Sequence, residues 1–407
     1  MYKSNIICAF ILLCAALCAC SGAPKRVPAP KDSCLKAIVR PQPAEDKAVL
    51  LSRVKKAEAL MADMSTEDKV GQLFIVGIGG LNGEQSPEVF PTEVNEKQLG
   101  NIKNYHLGGV IFYGGNVIND AQIKKYIAGL QSAAQIPLFI SIDEEGGLVS
   151  RLGNNQDISV DKFPPMIEIG NGGDSQKAFD AGATLGRQMR ALGFNLDFAP
   201  VADVLTNPLN TVIRQKGRAF GIEPEIVCHM VPRFVEGMQE QGVSAVLKHF
   251  PGHGDTVADS HEERVWSYAD GERLRTVELL PFRAGIQAGV DFVMAAHVSL
   301  PRLTGGDEPA SMSKYLITDL LKGELGFKGV VITDDMYMDA VRKHYDAAAA
   351  AVNSINAGID MIIIKLFFED AYNGVLDAVK AGKISEARLD DAVRKTLELK
   401  IKRGVIN

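Results

Sequence analysis

The sequence predicts an α/β fold, a (β/α)8 TIM-type barrel forming a single catalytic domain. Three observations point to it. Eight short runs rich in β-branched or aromatic residues recur along the chain; a Gly- or Pro-marked turn and an amphipathic stretch follow each; and several runs end in charged or imidazole side chains. Strands alternating with helical patterns form parallel βα units, and eight of them is the number that closes a barrel. A doubly wound open sheet is the alternative, but the first run lacks the G-x-G-x-x-G phosphate fingerprint of a dinucleotide fold. The 407 residues, 46% hydrophobic and 23% charged, suffice for one barrel with appendages. A net charge of −6 leaves no basic excess to neutralise phosphates, so no nucleic acid partner is expected.

The N-terminus reads as an export and anchoring segment. Lys3 precedes an apolar run from Ile6 to Ala19, too short to span a bilayer but suited to the hydrophobic region of a signal peptide, here 1–19. The run ends Leu17-Cys18-Ala19-Cys20, which resembles a bacterial lipobox and makes Cys20 the expected lipidation site. The alternative is an ordinary secretory signal with an incidental Cys. Residues 20–44 hold Pro24, Pro28, Pro30, Pro41 and Pro43 with few apolar side chains, the composition of an extended tether. A lipid-anchored location outside the cytoplasm follows, with a membrane as partner through the N-terminus. Four of the six Cys lie in the signal segment, leaving Cys34 and Cys228, so no disulfide framework or cysteine metal cage is expected.

The folded domain is placed at 45–407. Val49, Leu50, Val54, Ala57 and Leu60 recur at helical spacing between Glu45 and Met64, and Ser65 to Asp68 offers a capping-box start for the next helix. The eight strand runs are Leu73 to Gly77, Gly109 to Tyr113, Pro137 to Asp143, Phe194 to Ala199, Ala245 to His249, Phe292 to His297, Gly329 to Asp334 and Asp360 to Lys365. A barrel puts its chemistry at the C-terminal ends of the strands. Run three ends in Asp143-Glu144-Glu145-Gly146-Gly147, run five in Lys248-His249, run six in His297 and run seven in Thr333-Asp334-Asp335. Any one such Asp is ordinarily a helix cap or a paired charge; several converging on one mouth imply a site, because charge at the end of a buried strand costs desolvation unless paired or used.

Lys248-His249-Phe250-Pro251-Gly252-His253-Gly254-Asp255 continues to Asp259-Ser260-His261, and Pro251 and Gly252 make this a shaped loop. His249 and His253 have the spacing of zinc ligands on a helix, but the same Pro and Gly break that helix, and run one carries no His-x-His pair. No metal and no other cofactor is expected.

Taken together, Asp143-Glu144-Glu145-Gly146-Gly147, Phe198-Ala199-Pro200-Val201, Gly217-Arg218-Ala219-Phe220-Gly221, Lys248-His249-Phe250-Pro251-Gly252-His253-Gly254 and Asp334-Asp335-Met336 resemble glycoside hydrolase family 3, in its bacterial β-N-acetylglucosaminidase branch. The resemblance covers about residues 65 to 400. It implies a retaining exo-glycosidase that removes terminal β-linked N-acetylglucosamine from peptidoglycan-derived or chitin-type glycans without a metal, with no obligate protein partner. It assigns Asp334 as nucleophile, His261 as acid/base, Asp259 as the partner of that imidazole, and Asp143, Arg151, Arg218, Lys248 and His249 as substrate-binding residues. Histidine titrates near neutrality, and a nearby carboxylate favours the protonated ring that donates to the leaving oxygen. Asp334 is preferred to Asp335 because successive strand residues face opposite ways.

The chain departs from the family pattern in three places. Leu148 stands where many relatives have Arg; the second domain that larger family members carry is not expected here; and Ile364-Lys365-Leu366-Phe367-Phe368 is unlike the shorter polar end the pattern expects, which argues against an aglycone contact there and reads as a hydrophobic lid or helix-packing segment. Two other functions compete with hydrolysis. One is a glycoside phosphorylase, since a histidine acid/base does not repel an incoming phosphate as a carboxylate would. The other is a catalytically inactive sugar-binding lipoprotein.

Overall fold

The computed structural model describes residues 46–406. The expected signal peptide and tether, with Cys20 and Cys34, lie outside the described residues. All eight runs form strands: β1 Phe74–Gly77, β2 Gly109–Ile111, β3 Phe139–Ile142, β4 Leu196–Asp197, β5 Ser244–Phe250, β6 Phe292–Ala295, β7 Val330–Thr333 and β8 Ile362–Ile364. Each pairs in parallel with its sequence neighbours from β2 to β7, and β1 pairs with β8 through Phe74↔Ile362 and Ile75↔Ile363. A parallel bridge between Ile332 and Met361 joins β7 to the start of β8, and the Thr333 amide donates to Met361 O at 3.1 Å, closing the ring. The open-sheet alternative is therefore discarded.

Strand alternation sorts the apolar side chains into two layers. One, with Ile75, Ile111, Phe139, Leu196, Val246, Phe292, Ile332 and Ile363, fills the barrel, and Leu399 of the last helix joins it. The other, with Phe74, Val76, Val110, Ile140 and Leu247, packs outward against the helices. Cys228 is buried with Leu280 and Ala284.

Local sequence sets the helix ends. Ser65 Oγ accepts the Asp68 amide at 3.1 Å while Asp68 Oδ2 accepts the Ser65 amide at 2.8 Å, the reciprocal cap that opens Thr66–Gly71. Helix Ser175–Leu192 starts at the Asp174 cap and stops at Gly193, whose φ of 105° suits a residue without a Cβ. The first helix, Lys47–Ala62, forms as the spacing predicts, but its apolar stripe is only partly covered. Ala57 is buried, whereas Val49 and Leu50 are exposed, because this helix lies on the outside of the last helix, Glu386–Lys402.

The N-terminal end of the barrel holds an unusual cation. Lys400 is fully buried; its Nζ donates to Gln72 Oε1 at 2.9 Å and lies 5.3 Å from the centre of the Phe139 ring. Gln72 Nε2 in turn donates to His106 O and Leu107 O, immediately before β2. Burial without a carboxylate pushes the Lys400 ammonium down to about 7.

Candidate active site

At the C-terminal end of the strands lies a cavity of about 440 Å³. Its walls include Asp143, Arg151, Arg218, Lys248, His249, His261 and Asp334, so seven of the eight expected site side chains meet in one space. The eighth, Asp259, sits behind His261.

The wall built from β3 and β5 is a buried charge network. Lys248 Nζ lies 2.7 Å from Asp143 Oδ1 and 2.6 Å from Glu145 Oε1. Arg218 grips Glu145 with two parallel bonds, Nε to Oε2 at 2.8 Å and Nη2 to Oε1 at 2.7 Å. Burial alone would raise the Glu145 carboxyl, but the Arg218 and Lys248 charges outweigh it and hold Glu145 ionised, well below the usual carboxylate range. Two cations and two carboxylates are thereby held rigidly, with Asp143 at the cavity surface.

His249 is oriented from behind. Asp203 Oδ2 lies 2.7 Å from its Nδ1, while Asp203 Oδ1 accepts the His253 amide at 2.7 Å. The ionised acceptor requires the proton on Nδ1, which turns Nε2 toward Arg218, 3.4 Å away, and the cavity. His253 does not reach the cavity. Its Nδ1 meets Thr256 Oγ1 at 2.8 Å and its Nε2 meets Ser260 Oγ at 3.1 Å, and burial pushes it down to about 4, so it braces the loop as a neutral ring. The two rings thus differ in partner, Asp203 for His249 and Thr256 with Ser260 for His253, and among the described residues no group of three or more His, Cys, Asp or Glu is arranged to hold a metal ion.

The loop braced by His253 carries Asp259 and His261. Asp259 Oδ1 accepts the His261 amide at 2.9 Å and lies 2.6 Å from His261 Nδ1. The bond to Asp259 raises the imidazole above its ordinary value, with the charge of Asp334 adding to the effect. The loop is docked on the segment after β7: the Ala340 amide donates to Ser260 O, and Lys343 Nζ donates to Glu262 O at 2.8 Å.

Asp334 follows β7. Burial would raise its carboxyl, but the facing His249, His297 and His261 rings and the Asp335 amide lower it to about 2, so it is ionised at neutral pH. Asp335 also lines the cavity, unlike the strand-alternation expectation, because β7 ends at Thr333 and the chain turns there. The two carboxyls are differentiated by environment. Asp335 Oδ1 accepts the Tyr337 and Lys365 amides at 3.0 and 2.9 Å, and burial, opposed by those amides and reinforced by the Asp334 charge, pushes it up to about 6.

Several participants escaped the sequence reading as site residues: Glu145, Asp203, Tyr113 and Lys365. Glu145 stood in a named motif, and its charge beside two nearby cations was the available signal. Asp203 had none, since it lies 46 residues from His249. Arg151 Nε and Tyr113 Oη are buried without a hydrogen-bond partner, and both residues line the cavity. Leu148, exposed at the mouth, adds apolar surface where the family pattern expects a cation.

The model of the glycosyl hydrolase family 3 N-terminal domain matches residues 65–399. β-Hexosaminidase A of Pseudoalteromonas piscicida is 31% identical over 383 residues, covering 85% of this chain, which spans 62% of that protein's length. The β-hexosaminidase of Stenotrophomonas maltophilia strain K279a is 33% identical over 304 residues, 73% of this chain and 87% of its own length. Among solved structures, the family 3 β-N-acetylglucosaminidase from Paenibacillus sp. FPU-7 superposes with a TM-score of 0.78 at 39% identity, over 84% of this chain and 63% of that one.

Proposed function

Since the chain belongs to glycosyl hydrolase family 3, we propose that it is a retaining exo-β-N-acetylglucosaminidase acting through a covalent glycosyl-enzyme. The observation that carries this reading is the pairing of an ionised Asp334 with a carboxylate-backed His261 on one cavity. In the first step an Asp334 oxygen attacks the anomeric carbon, the bond to the leaving oxygen breaks, and that oxygen takes the His261 Nε2 proton. In the second, the neutral ring takes a proton from water, whose oxygen attacks the same carbon and displaces Asp334. Asp143, Lys248, Arg218, Arg151 and His249 supply donors and acceptors for the hydroxyls of the terminal sugar. The β-hexosaminidase names of the relatives support N-acetylglucosamine as that sugar.

Protein lacking residues 1–20 is expected to release N-acetylglucosamine from aryl β-N-acetylglucosaminides, with glucosides poorer substrates. A preference for glucosides overturns the sugar assignment. Product analysis in phosphate decides between hydrolysis and phosphorolysis: free N-acetylglucosamine supports the hydrolase, the sugar 1-phosphate the phosphorylase.

Location belongs to the same proposal. Lipidation at Cys20, with the proline-rich 20–44 segment as spacer, holds the barrel at a membrane outside the cytoplasm, where peptidoglycan strands or chitin-type oligosaccharides present non-reducing ends. A fatty-acid probe is expected to label wild type and not Cys20→Ala. A mature protein without label in both strains overturns the anchor.

A further inference from the structure

His297 ends the sixth strand run, yet the glycosidase reading gives it no task. Its ring is 1% exposed and does not line the cavity. Two hydrogen bonds fix it: Nδ1 lies 2.8 Å from Ser311 Oγ, and Nε2 lies 3.2 Å from Asp335 O. A carbonyl only accepts, so Nε2 carries the proton and donates it there, which leaves Nδ1 to accept the Ser311 hydroxyl proton. Ser311 is itself placed by its amide, which donates to Ala296 O at 3.1 Å. Burial holds the ring below the ordinary histidine value. At neutral pH it therefore acts through this geometry, and it adds positive charge near Asp334 only in acid.

The carbonyl that His297 holds belongs to the residue after Asp334, and that residue is tied at each of its polar groups. The Asp335 amide donates to Asp334 Oδ1 at 2.8 Å, its carboxyl accepts the Tyr337 and Lys365 amides, and its carbonyl accepts the His297 ring. On either side, the Asp334 amide donates to Ala295 O, at the end of β6, at 2.9 Å, and the Met336 amide donates to Ile363 O, in β8, at 3.0 Å. The turn after β7 is thus strapped to both neighbouring strands, and His297, two residues beyond β6, is the side-chain strap on the β6 side.

This strap bears on the reacting group. The Asp334 carboxylate is oriented by the Asp335 amide, and planar peptide units leave only the two soft dihedrals of residue 335 between that amide and the carbonyl that His297 grips. Fixing the carbonyl limits rotation at residue 335 and keeps the amide aimed at Asp334 Oδ1.

We propose that His297, with its Nε2 proton set by Ser311, is a positioning residue for the nucleophile: it holds the Asp335 backbone so that the Asp335 amide keeps the Asp334 carboxylate aligned for attack. This rests on the glycosidase reading above, in which Asp334 forms the ester.

The test separates the two ring nitrogens. His297→Gln carries an amide N–H near the Nε2 position and can still reach Asp335 O; His297→Asn carries its amide near the Nδ1 position, so it keeps Ser311 and loses Asp335. Each is mixed in excess over an aryl β-N-acetylglucosaminide, so that aryl release reports the glycosylation step alone. His297→Asn is expected to lower the saturating rate by about 10- to 100-fold, with the half-saturating concentration unchanged because Asp143, Lys248 and Arg218 are untouched. His297→Gln is expected to recover to within about threefold of wild type. Activated and poor leaving groups should lose equally, which separates a misaligned nucleophile from a missing acid. Ser311→Ala keeps the ring but frees its tautomer, and should cost about three- to tenfold in the same rate, so the test stands even if His297→Asn does not fold. An unchanged rate in His297→Asn or in Ser311→Ala overturns the assignment, as does an equal loss in Asn and Gln or a loss confined to the half-saturating concentration. Failure of the underlying reading looks different: Asp334→Ala then releases the aryl group at the wild-type rate.

Discussion

His261 Nδ1 and Asp259 Oδ1 are 2.6 Å apart, and the same carboxylate oxygen accepts the His261 amide, so one oxygen fixes both the ring and the backbone that carries it. The charged acceptor assigns the Nδ1 proton and leaves Nε2 for the leaving oxygen of the proposed mechanism. Removing the acceptor should act on proton affinity as well as on position. The proposed glycosylation step needs the protonated ring, so activity is expected to fall as pH rises through the His261 value. In Asp259→Asn that value drops, and the alkaline limb of the kcat/KM profile is expected to move to lower pH. His261→Ala should hurt substrates with poor leaving groups far more than activated aryl glycosides. An alkaline limb that stays in place in Asp259→Asn would argue against an electrostatic role.

Asp334→Ala should lower kcat by at least about a thousandfold on every substrate, because it removes the ionised carboxylate that forms the ester in the proposed mechanism. Asp335 is not a substitute: its carboxyl is held by two backbone amides and sits near 6. Rapid-quench measurement should show a glycosyl-enzyme in wild type and none in Asp334→Ala.

Glu145 touches Arg218 and Lys248 and is itself almost fully buried. Glu145→Ala leaves two cations in the protein interior with one fewer carboxylate, which costs about 3–5 kcal/mol. Chemical denaturation should therefore show a large loss of stability together with a rise in KM. A variant that kept its stability while losing activity would place Glu145 on the substrate instead.

Lys400 makes a prediction about stability and pH. Its folded value near 7 lies below the ordinary 10.5, so between these limits the unfolded chain binds more protons and stability rises with pH. Below about 7 the native lysine is itself charged, and its burial cost is felt in full. Lys400→Met keeps the volume and removes the charge. It is expected to raise Tm by about 2–5 °C near pH 6.5 and to flatten the rise between pH 7 and 10. An unchanged profile, followed by scanning calorimetry, would show that Gln72 and the Phe139 ring already compensate the charge.

The eight strands, the Ser65 capping box and the residues ending the strands were legible from the sequence, because each depends on chemistry repeated over a few neighbouring positions. β-Branched runs favour strands whatever surrounds them, and a barrel sends their C-terminal ends to one face. The tertiary structure alone decided which polar residue faces what. Asp203 reaches His249 only because the chain crosses from one strand end to the next, and Asp334 and Asp335 part ways only because amides 2 and 30 residues beyond Asp335 converge on it. The segment after β8 divides in the same way, Phe368 buried and Phe367 exposed, through contacts with Gly77, Gly80 and Tyr337 brought in from other strands. Periodicity encodes burial along one element; protonation and orientation depend on charges and dipoles gathered from several, and those distances exist only once the ring has closed.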